Sequence, residues 1–407
     1  MTDEALPQPA SRGLPFAEFV ALIASLMALG ALGIDSMLPA LHFIGRDLHV
    51  SDPNHQQWVV QIYFLGLGVG QLFFGVLSDW LGRKRVLLSG VAVYIVFALI
   101  AGMTRDFATL LVMRLLQGLA VSTTGVVTRS IVRDLYAGPK MAKVLSISLV
   151  VFLLVPIAAP TLGQIILSFA PWRAIFLVMA GLGLATGLWG WLRLPETLPP
   201  EKRHRPDIAH IRRVAFFVVT EPGSLFYTLA IAFLIGSLLA YVSLMPQIFS
   251  DVFGKPQLMA GIFAACAGTM GLSSMLNASL VERVGLKRIS HSALTAFVVM
   301  SAIHMVWALL GHETILSFTI LQALTMGLMS LATSNFSAVA MEKVGHVAGT
   351  AASLQGVVQT VGAAAISAAI GAGWSGGIYL LPLGALVCGL VAFALVAISE
   401  KGRLYRN

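Results

Sequence analysis

Charge is what this chain has least of: Asp, Glu, Lys and Arg make up 11% of its 407 residues, while hydrophobic residues make up 57%. A soluble domain carries about 25% charged residues. With a mean hydropathy of +0.87, this composition excludes a surface that water alone could solvate, and the bulk of the chain is expected in lipid. Cysteine is scarcer still. Cys266 and Cys388 lie far apart, each inside an apolar run, so a disulfide or metal framework has no support and both read as small packing residues. The chain has no Gly-x-x-x-x-Gly-Lys loop to hold a nucleotide triphosphate, and its nine histidines give no His-Glu-x-x-His spacing. His291 and His304 fall in an apolar run and read as structural. The +8 net charge is spread over short connections, so no basic domain exists for a nucleic-acid partner. No cofactor and no metal are expected.

What fills the chain is a series of apolar segments, each close to the roughly 20 residues a spanning helix needs. They fall near 16–40, 56–77, 86–103, 108–131, 143–168, 173–194, 222–247, 257–280, 288–310, 315–338, 346–370 and 375–399. This is an all-α membrane protein with 12 spans and no room for a soluble catalytic domain. Only Arg12 precedes the first run, which is long and contains a charge, so it reads as a retained span and not a cleaved signal. Basic residues then alternate by side. One set of connections holds Arg83 to Arg85, Arg133, Lys140, Lys143, Lys202 to Arg205, Arg212, Arg213, Arg283, Lys287, Arg288, Lys343 and the tail to Arg406; the other holds only Arg46, Arg105, Arg173 and Lys255. This bias predicts a multi-pass protein with both termini in the cytoplasm. The one long polar connection, 195–221 with Pro195, Pro199, Pro200 and Pro206, reads as a linker between a first unit at 1–194 and a second at 222–407.

The segment Gly75-Val-Leu-Ser-Asp79-Trp-Leu-Gly82-Arg83-Lys84-Arg85 sits between two such runs. Its small residues let helix ends approach, Asp79 can cap or pair, and the three cations suit an anionic membrane surface. A weaker copy, Ala278-Ser-Leu-Val-Glu282-Arg-Val-Gly285-Leu-Lys287-Arg288, follows 203 residues later, half the chain length. Repetition at that distance predicts two related six-helix bundles in parallel orientation. In order and spacing the first segment resembles the signature loop of the major facilitator superfamily. The resemblance implies the major facilitator fold, two pseudo-symmetric six-helix bundles with a cavity between them, and a role for Gly75, Asp79, Gly82, Arg83, Lys84 and Arg85 as a conformational latch.

Of the eighteen acids, one falls inside a span away from its ends: Asp35, four residues before Pro39. A carboxylate in lipid is retained mainly where it faces a cavity or a partner, which makes Asp35 the candidate for proton coupling. The proline leaves the Asp35 carbonyl without its helical donor. Arg114 is the basic residue well inside a span. It lies about seven residues, or roughly 10 Å, below the outer surface, and Asp35 about five residues below it, so the two could pair directly or through water. Arg114-x-x-Gln117-Gly118 is similar to the superfamily's fourth-helix motif, whose arginine is linked in antiporters to proton movement.

The fifth span holds Pro156, Pro160 and Gly163, a pattern for a bent helix short of hydrogen bonds. It resembles the antiporter motif of drug exporters, but Ala159 and Gln164 stand where glycines are common. With Trp172-Arg173-Ala-Ile-Phe176 and Leu194-Pro-Glu-Thr-Leu198, it is similar to the bicyclomycin and chloramphenicol/florfenicol resistance branch of the 12-span drug:proton antiporters. Small residues collect in the second span (Gly66, Gly68, Gly70, Gly75) and the eleventh (Gly349, Gly356, Gly362), where close helix approach is their usual meaning. In the superfamily these two helices meet across the interface between halves; ordinary packing within a bundle is the alternative. Polar groups in spans, namely Gln61, Tyr63, Gln117, Gln164, Tyr241, Gln247, Asn335, Gln355 and Gln359, are candidates to line the cavity or to bond between helices.

The expectation from these residues and the resemblance together is a monomeric, proton-coupled secondary transporter in the inner membrane. It would export drug-like, neutral or amphipathic small molecules, with the proton gradient as its energy source. A carrier of a metabolite such as a sugar or organic acid is the alternative within transport, and a non-transporting sensor or scaffold of the same fold is another. An intramembrane enzyme would need a nucleophile and base or paired carboxylates within the bilayer, for which the chain offers no set.

Overall fold

In lipid, every backbone N–H and C=O must be satisfied within its own segment, and each apolar run accordingly folds as a helix. The computed structural model describes residues 14–136, 138–205, 208–344 and 348–405; Arg12, Pro206, His346 and Arg406 lie outside them. The long helices are α1 (Phe16–Asp35), α2 (Trp58–Leu81), α3 (Arg83–Met103), α4 (Phe107–Leu135), α5 (Gly138–Phe169), α6 (Arg173–Arg193), α7 (Pro222–Gln247), α8 (Met259–Val284), α9 (Leu286–Leu309), α10 (Ile315–Glu342), α11 (Ala348–Ala372) and α12 (Leu380–Ser399). No strand occurs among the described residues. Eleven described stretches are long and apolar enough to cross a membrane. The remaining long helix, α5, has 32 residues.

Two elements differ from the sequence expectation. The first span does not run unbroken to residue 40. α1 stops at Asp35, a tight turn follows at Leu38–Ala40, and a short helix, Leu41–Asp47, carries the path onward. Pro39 is the cause, since it has no N–H to give back to the Asp35 carbonyl and its ring crowds that turn. The polar linker also contains a helix, Ile208–Thr220. Its apolar residues recur three and four apart (Ile208, Ile211, Val214, Ala215, Val218), a period that the flanking prolines and cations mask. Val218 is buried against Val344 and Ala351 of the second half. Residues 196–204 bond instead to the first half.

Packing repeats after six helices. α2 lies on α4, α3 on α4 and α6, and α1 on α4, α5 and α6; the corresponding pairs α8 on α10, α9 on α10 and α12, and α7 on α10, α11 and α12 recur. The turns after α2 and α8 match in backbone as well: Gly82 has φ 102° and ψ 147°, and Gly285 has φ 90° and ψ 149°. Positive φ with extended ψ is essentially a glycine conformation, so the sequence copy at Gly285 is a structural copy. The two sets meet along a seam where α2 lies on α11 and α5 on α8.

Four acids at the ends of helices each hold a cation on the face that carries Arg83, called the basic face below. Glu18 pairs with Arg193 at 2.7 Å, Asp134 with Arg83 at 3.0 Å, Lys343 with Glu221 at 3.3 Å and Lys287 with Glu400 at 2.9 Å. On the opposite, far face Arg173 joins Asp47 and donates to the Thr104 carbonyl at 3.0 Å.

Candidate functional site

Asp35 ends α1 and is 6% exposed. Its next neighbour, Ser36, packs through its carbonyl against Gly163, so close that a Cβ there would strike it. Gly163 stands six residues before the far-face end of α5, which puts Asp35 about 9 Å below that face. The Asp35 carboxyl has no hydrogen bond or ion pair among the described residues. Two residues earlier on α1, Gly33 packs against the Tyr63 and Tyr94 hydroxyls.

Arg114 lies at the comparable depth expected, yet it does not pair with Asp35. The fully buried guanidinium donates through Nε to the Val59 carbonyl at 3.0 Å and through an Nη to Gln117 Oε1 at 2.8 Å, and it lies 4.2 Å from the centre of the Tyr63 ring. Tyr63 in turn donates to the Gly30 carbonyl at 3.2 Å, on the helix that carries Asp35. One Nη and Gln117 Nε2 have no hydrogen-bond partner among the described residues. A cation in this setting is held by carbonyl dipoles and a ring face. Tyr63 links the two candidate charges in place of a salt bridge.

α2 and α4 come close enough for this arrangement because glycines face each other's backbone: a Cβ on Gly66 would strike the Leu115 carbonyl, and one on Gly118 the Tyr63 carbonyl. Gly68 looks the other way, toward Val361 and Thr360 of α11, and Gly75 lies between Val126 of α4 and Ser353 of α11. The glycines of α2 therefore divide between packing within the half and packing across the seam. Hydrogen bonds that cross it among the described residues include Asn54 to the Trp374 carbonyl at 3.0 Å, Gln57 to Gln247 at 2.6 Å, Gln164 to the Pro256 carbonyl at 3.1 Å, and Gln71 to Thr360 at 3.4 Å. Three of these lie toward the far face. Between them a cavity of about 120 Å³ is bounded by His42, Gln57, Ser243, Gln247 and Asp251. A wider one of about 330 Å³ opens beside it near Phe43 and Gln164.

On the basic face Arg83 is 3% exposed. Its side chain reaches Asp134, Ser78 and Asp79, while its backbone N–H donates to Glu196 at 2.9 Å. Lys84 donates to the Trp191 carbonyl at 2.8 Å, and Arg85 is exposed. All these partners belong to the first half or the strip that follows it. The signature loop thus ties the ends of α2, α3, α4 and α6 together inside one half.

This architecture agrees with what the chain is similar to. The family described as the Major Facilitator Superfamily matches residues 21–367. The chain belongs to the Major Facilitator Superfamily. It is 32% identical to the uncharacterized MFS-type transporter YdgK of Bacillus subtilis over 86% of this chain and 87% of the relative. A bicyclomycin resistance protein homolog of Haemophilus influenzae is 30% identical over 84% and 85%. A chloramphenicol resistance protein of Pseudomonas aeruginosa is 30% identical over 81% and 78%. In fold the chain is similar to the human organic anion transporter MFSD10, with a TM-score of 0.66 at 16% identity, covering 94% of this chain and all of that one.

As a superfamily member, the protein sorts its intramembrane polar residues in ways that sequence alone left open. Gln61, Gln164 and Gln247 belong to the seam, and Tyr63 and Gln117 hold Arg114. Asn335 bonds to Asn277 at 2.8 Å, and Gln355 to Ser224 at 2.9 Å and the Ala340 carbonyl at 3.1 Å, so both tie helices within the second half. The Tyr241 hydroxyl is buried with no hydrogen-bond partner among the described residues. Gln359 is half-buried, as is Lys84 of the loop. Pro160 is buried within a continuous α5, and the Pro156 side chain lies outside the described residues.

Two charged groups escaped the sequence reading. Glu313, in the connection between α9 and α10, is buried beside His304 at 3.5 Å and accepts from Ser317; its position in a loop gave no sign of burial. Arg129 lies about 9 Å from the basic-face end of α4. It is exposed, has no hydrogen bond or ion pair among the described residues, and stands one turn beyond Gly125, where a Cβ would meet only open space. The spacing Gly125-x-x-x-Arg129 on an otherwise packed helix was its only signal.

Proposed function

We propose that this protein exports small neutral or amphipathic drug-like molecules in exchange for protons, moving between states open to one side and then the other. The observation that carries the reading is Asp35: a buried carboxyl without an ion pair, set beneath the bonded seam of the far face. In this reading the basic face is cytoplasmic, as its excess of Lys and Arg favours, and the membrane is the inner membrane. Both termini then lie inside, the unit works as a monomer, and the proton gradient is its only energy source. The names of relatives support drugs as substrates, since they refer to bicyclomycin, chloramphenicol and multidrug resistance.

A protein that must exchange a proton for a substrate needs one group whose charge state alters the binding site. Asp35 would take a proton from outside, which changes the field at the Tyr63–Arg114 pair and releases substrate, and would lose it inward to reset the site. Arg83 and its partners keep the first half rigid while the seam opens and closes. A carrier of organic acids is the second reading, favoured by the open cation Arg129 near the basic face.

Expression in a pump-deficient bacterium, scored against a panel of antibiotics and dyes with and without a protonophore, tests the function. Raised tolerance that collapses with the protonophore is expected. Unchanged susceptibility to every compound would remove drug export. Purified protein in liposomes then decides coupling: Asp35→Asn is expected to lose transport driven by a pH gradient while expressing normally, and persistence of that transport assigns the proton elsewhere.

A further inference from the structure

We infer that Arg129 selects substrates by charge: it gives the gap open to the basic face a positive field, which admits neutral or anionic molecules bearing oxygen acceptors and turns away organic cations. This rests on the proposed export of drugs and names their charge class. The direction of Arg129 follows from helix geometry. Gly90 of α3 packs so tightly on Thr123 of α4 that a Cβ there would strike it. The opposite side of α3 carries the exposed apolar residues Val96, Leu99 and Met103, a surface suited to lipid. At 3.6 residues per turn, Gly125 and Arg129 lie about 160° and about 120° round α4 from Thr123, turned away from α3 and its lipid side. Val126, between them in sequence, meets Ser353 of α11 at Gly75, which places this stretch of α4 beside the seam.

The seam closes where α2 lies on α11 and α5 on α8, which leaves α4 and α10 on opposite walls of a gap between those contacts. Arg129 is exposed, and a Cβ on Gly125, one turn deeper, would meet nothing within 4 Å. On α10 the matching position is Ser337: it follows the cap Thr314 by 23 residues, as Arg129 follows the cap Asp106 by 23. Ser334 and Ser337 are both exposed and donate to carbonyls of their own helix at 2.8 Å and 3.0 Å. One wall of the gap thus carries a guanidinium and the other small hydroxyls.

The acids of the neighbouring helices leave this charge uncancelled. α5, α7 and α11 contain no Asp or Glu at all. Glu18, Asp79 and Asp134 are each held in an ion pair with another arginine, while Glu282 and Glu342 lie in the last turns of α8 and α10, nearer the face. A cation kept for stability pairs with an acid, as Arg83 and Arg193 do, and one kept for lipid headgroups would stand on the α3 side. In a cleft with low-dielectric walls, a lone charge raises the local concentration of opposite charges and lowers that of like ones. The planar guanidinium also donates in parallel to a pair of carboxylate oxygens, so it offers anions a bonded site and cations none.

Fluorescein, an anion, and rhodamine 6G, a cation, share one ring system and so test charge. Their binding to the full protein in lipid nanodiscs is read by fluorescence polarisation, with binding to empty nanodiscs subtracted. Arg129→Gln is expected to shift the ratio of the two Kd values about tenfold or more toward the cation, Arg129→Glu further still, and Arg129→Lys little. Melting temperatures report whether each variant folds. Should Arg129→Gln not fold, Ser337→Glu sets a carboxylate on the opposite wall and is expected to move the ratio the same way. A ratio within about twofold of the unmodified protein, in Arg129→Gln or in Ser337→Glu where that variant replaces it, overturns the inference. An anion preference that Arg129→Gln abolishes, in a protein that exports no drug from cells, keeps the role of Arg129 and removes the drug reading alone.

Discussion

Arg114 shows how a charge can sit in a membrane without an opposite charge. Its two named bonds go to a carbonyl and an amide, and the Tyr63 ring face supplies the rest. A lysine in its place offers a compact ammonium that cannot reach both acceptors from one plane. Arg114→Lys is expected to lose about 1.5–3 kcal/mol of stability, the worth of a charge-assisted bond, read as a lower melting temperature in detergent. Sequence placed Arg114 and Asp35 correctly at similar depth, because helix rise converts residue count into distance. It could not show that Tyr63 would come between them, since that depends on the rotation of α2 against α4, which glycines at 66 and 118 set. The burial of Glu313 was equally invisible: an acid in a short loop looks solvated until Ser317 and His304 close over it.

At the scale of elements, the twin turns at Gly82 and Gly285 should respond alike to substitution. Gly82→Ala and Gly285→Ala each force a side chain into a conformation that costs about 1–3 kcal/mol. Gly82→Ala should be the worse, because its new methyl also presses on Glu196; thermal unfolding of the two variants makes the comparison. The start of α4 adds a dependence on acid. Asp106 caps it, accepting the Thr109 N–H at 2.7 Å, and this bond holds its exposed carboxyl below the usual range. A depressed carboxyl stabilises the fold above its ordinary titration range, and that contribution fades as pH falls through the lowered value. Asp106→Ala should therefore lower the melting temperature at neutral pH and lose its effect in strong acid. Helix positions were largely legible in the sequence because lipid imposes length and apolarity together. The break after Asp35 was signalled by Pro39 without its consequence, and the Ile208–Thr220 helix was hidden because prolines and cations dominate its surroundings.

Across the whole molecule, the halves touch through small residues and a few polar bonds, so relative movement should not require either half to deform. Cysteines at Gln57 and Gln247, joined by a short bifunctional thiol reagent, are expected to lock the far face and stop transport, with recovery on reduction. Transport that continues in the joined protein would show that this part of the seam stays shut throughout the cycle. The closure on the far face is made of amides and carbonyls, with no ion pair among the bonds that cross it between described residues. A neutral clasp of this sort exchanges each bond for one to water at a net cost of about 0.5–1.5 kcal/mol, and salt does not screen it. Its opening rate should thus stay level from dilute buffer to brine, leaving the protein indifferent to the ionic strength of its surroundings.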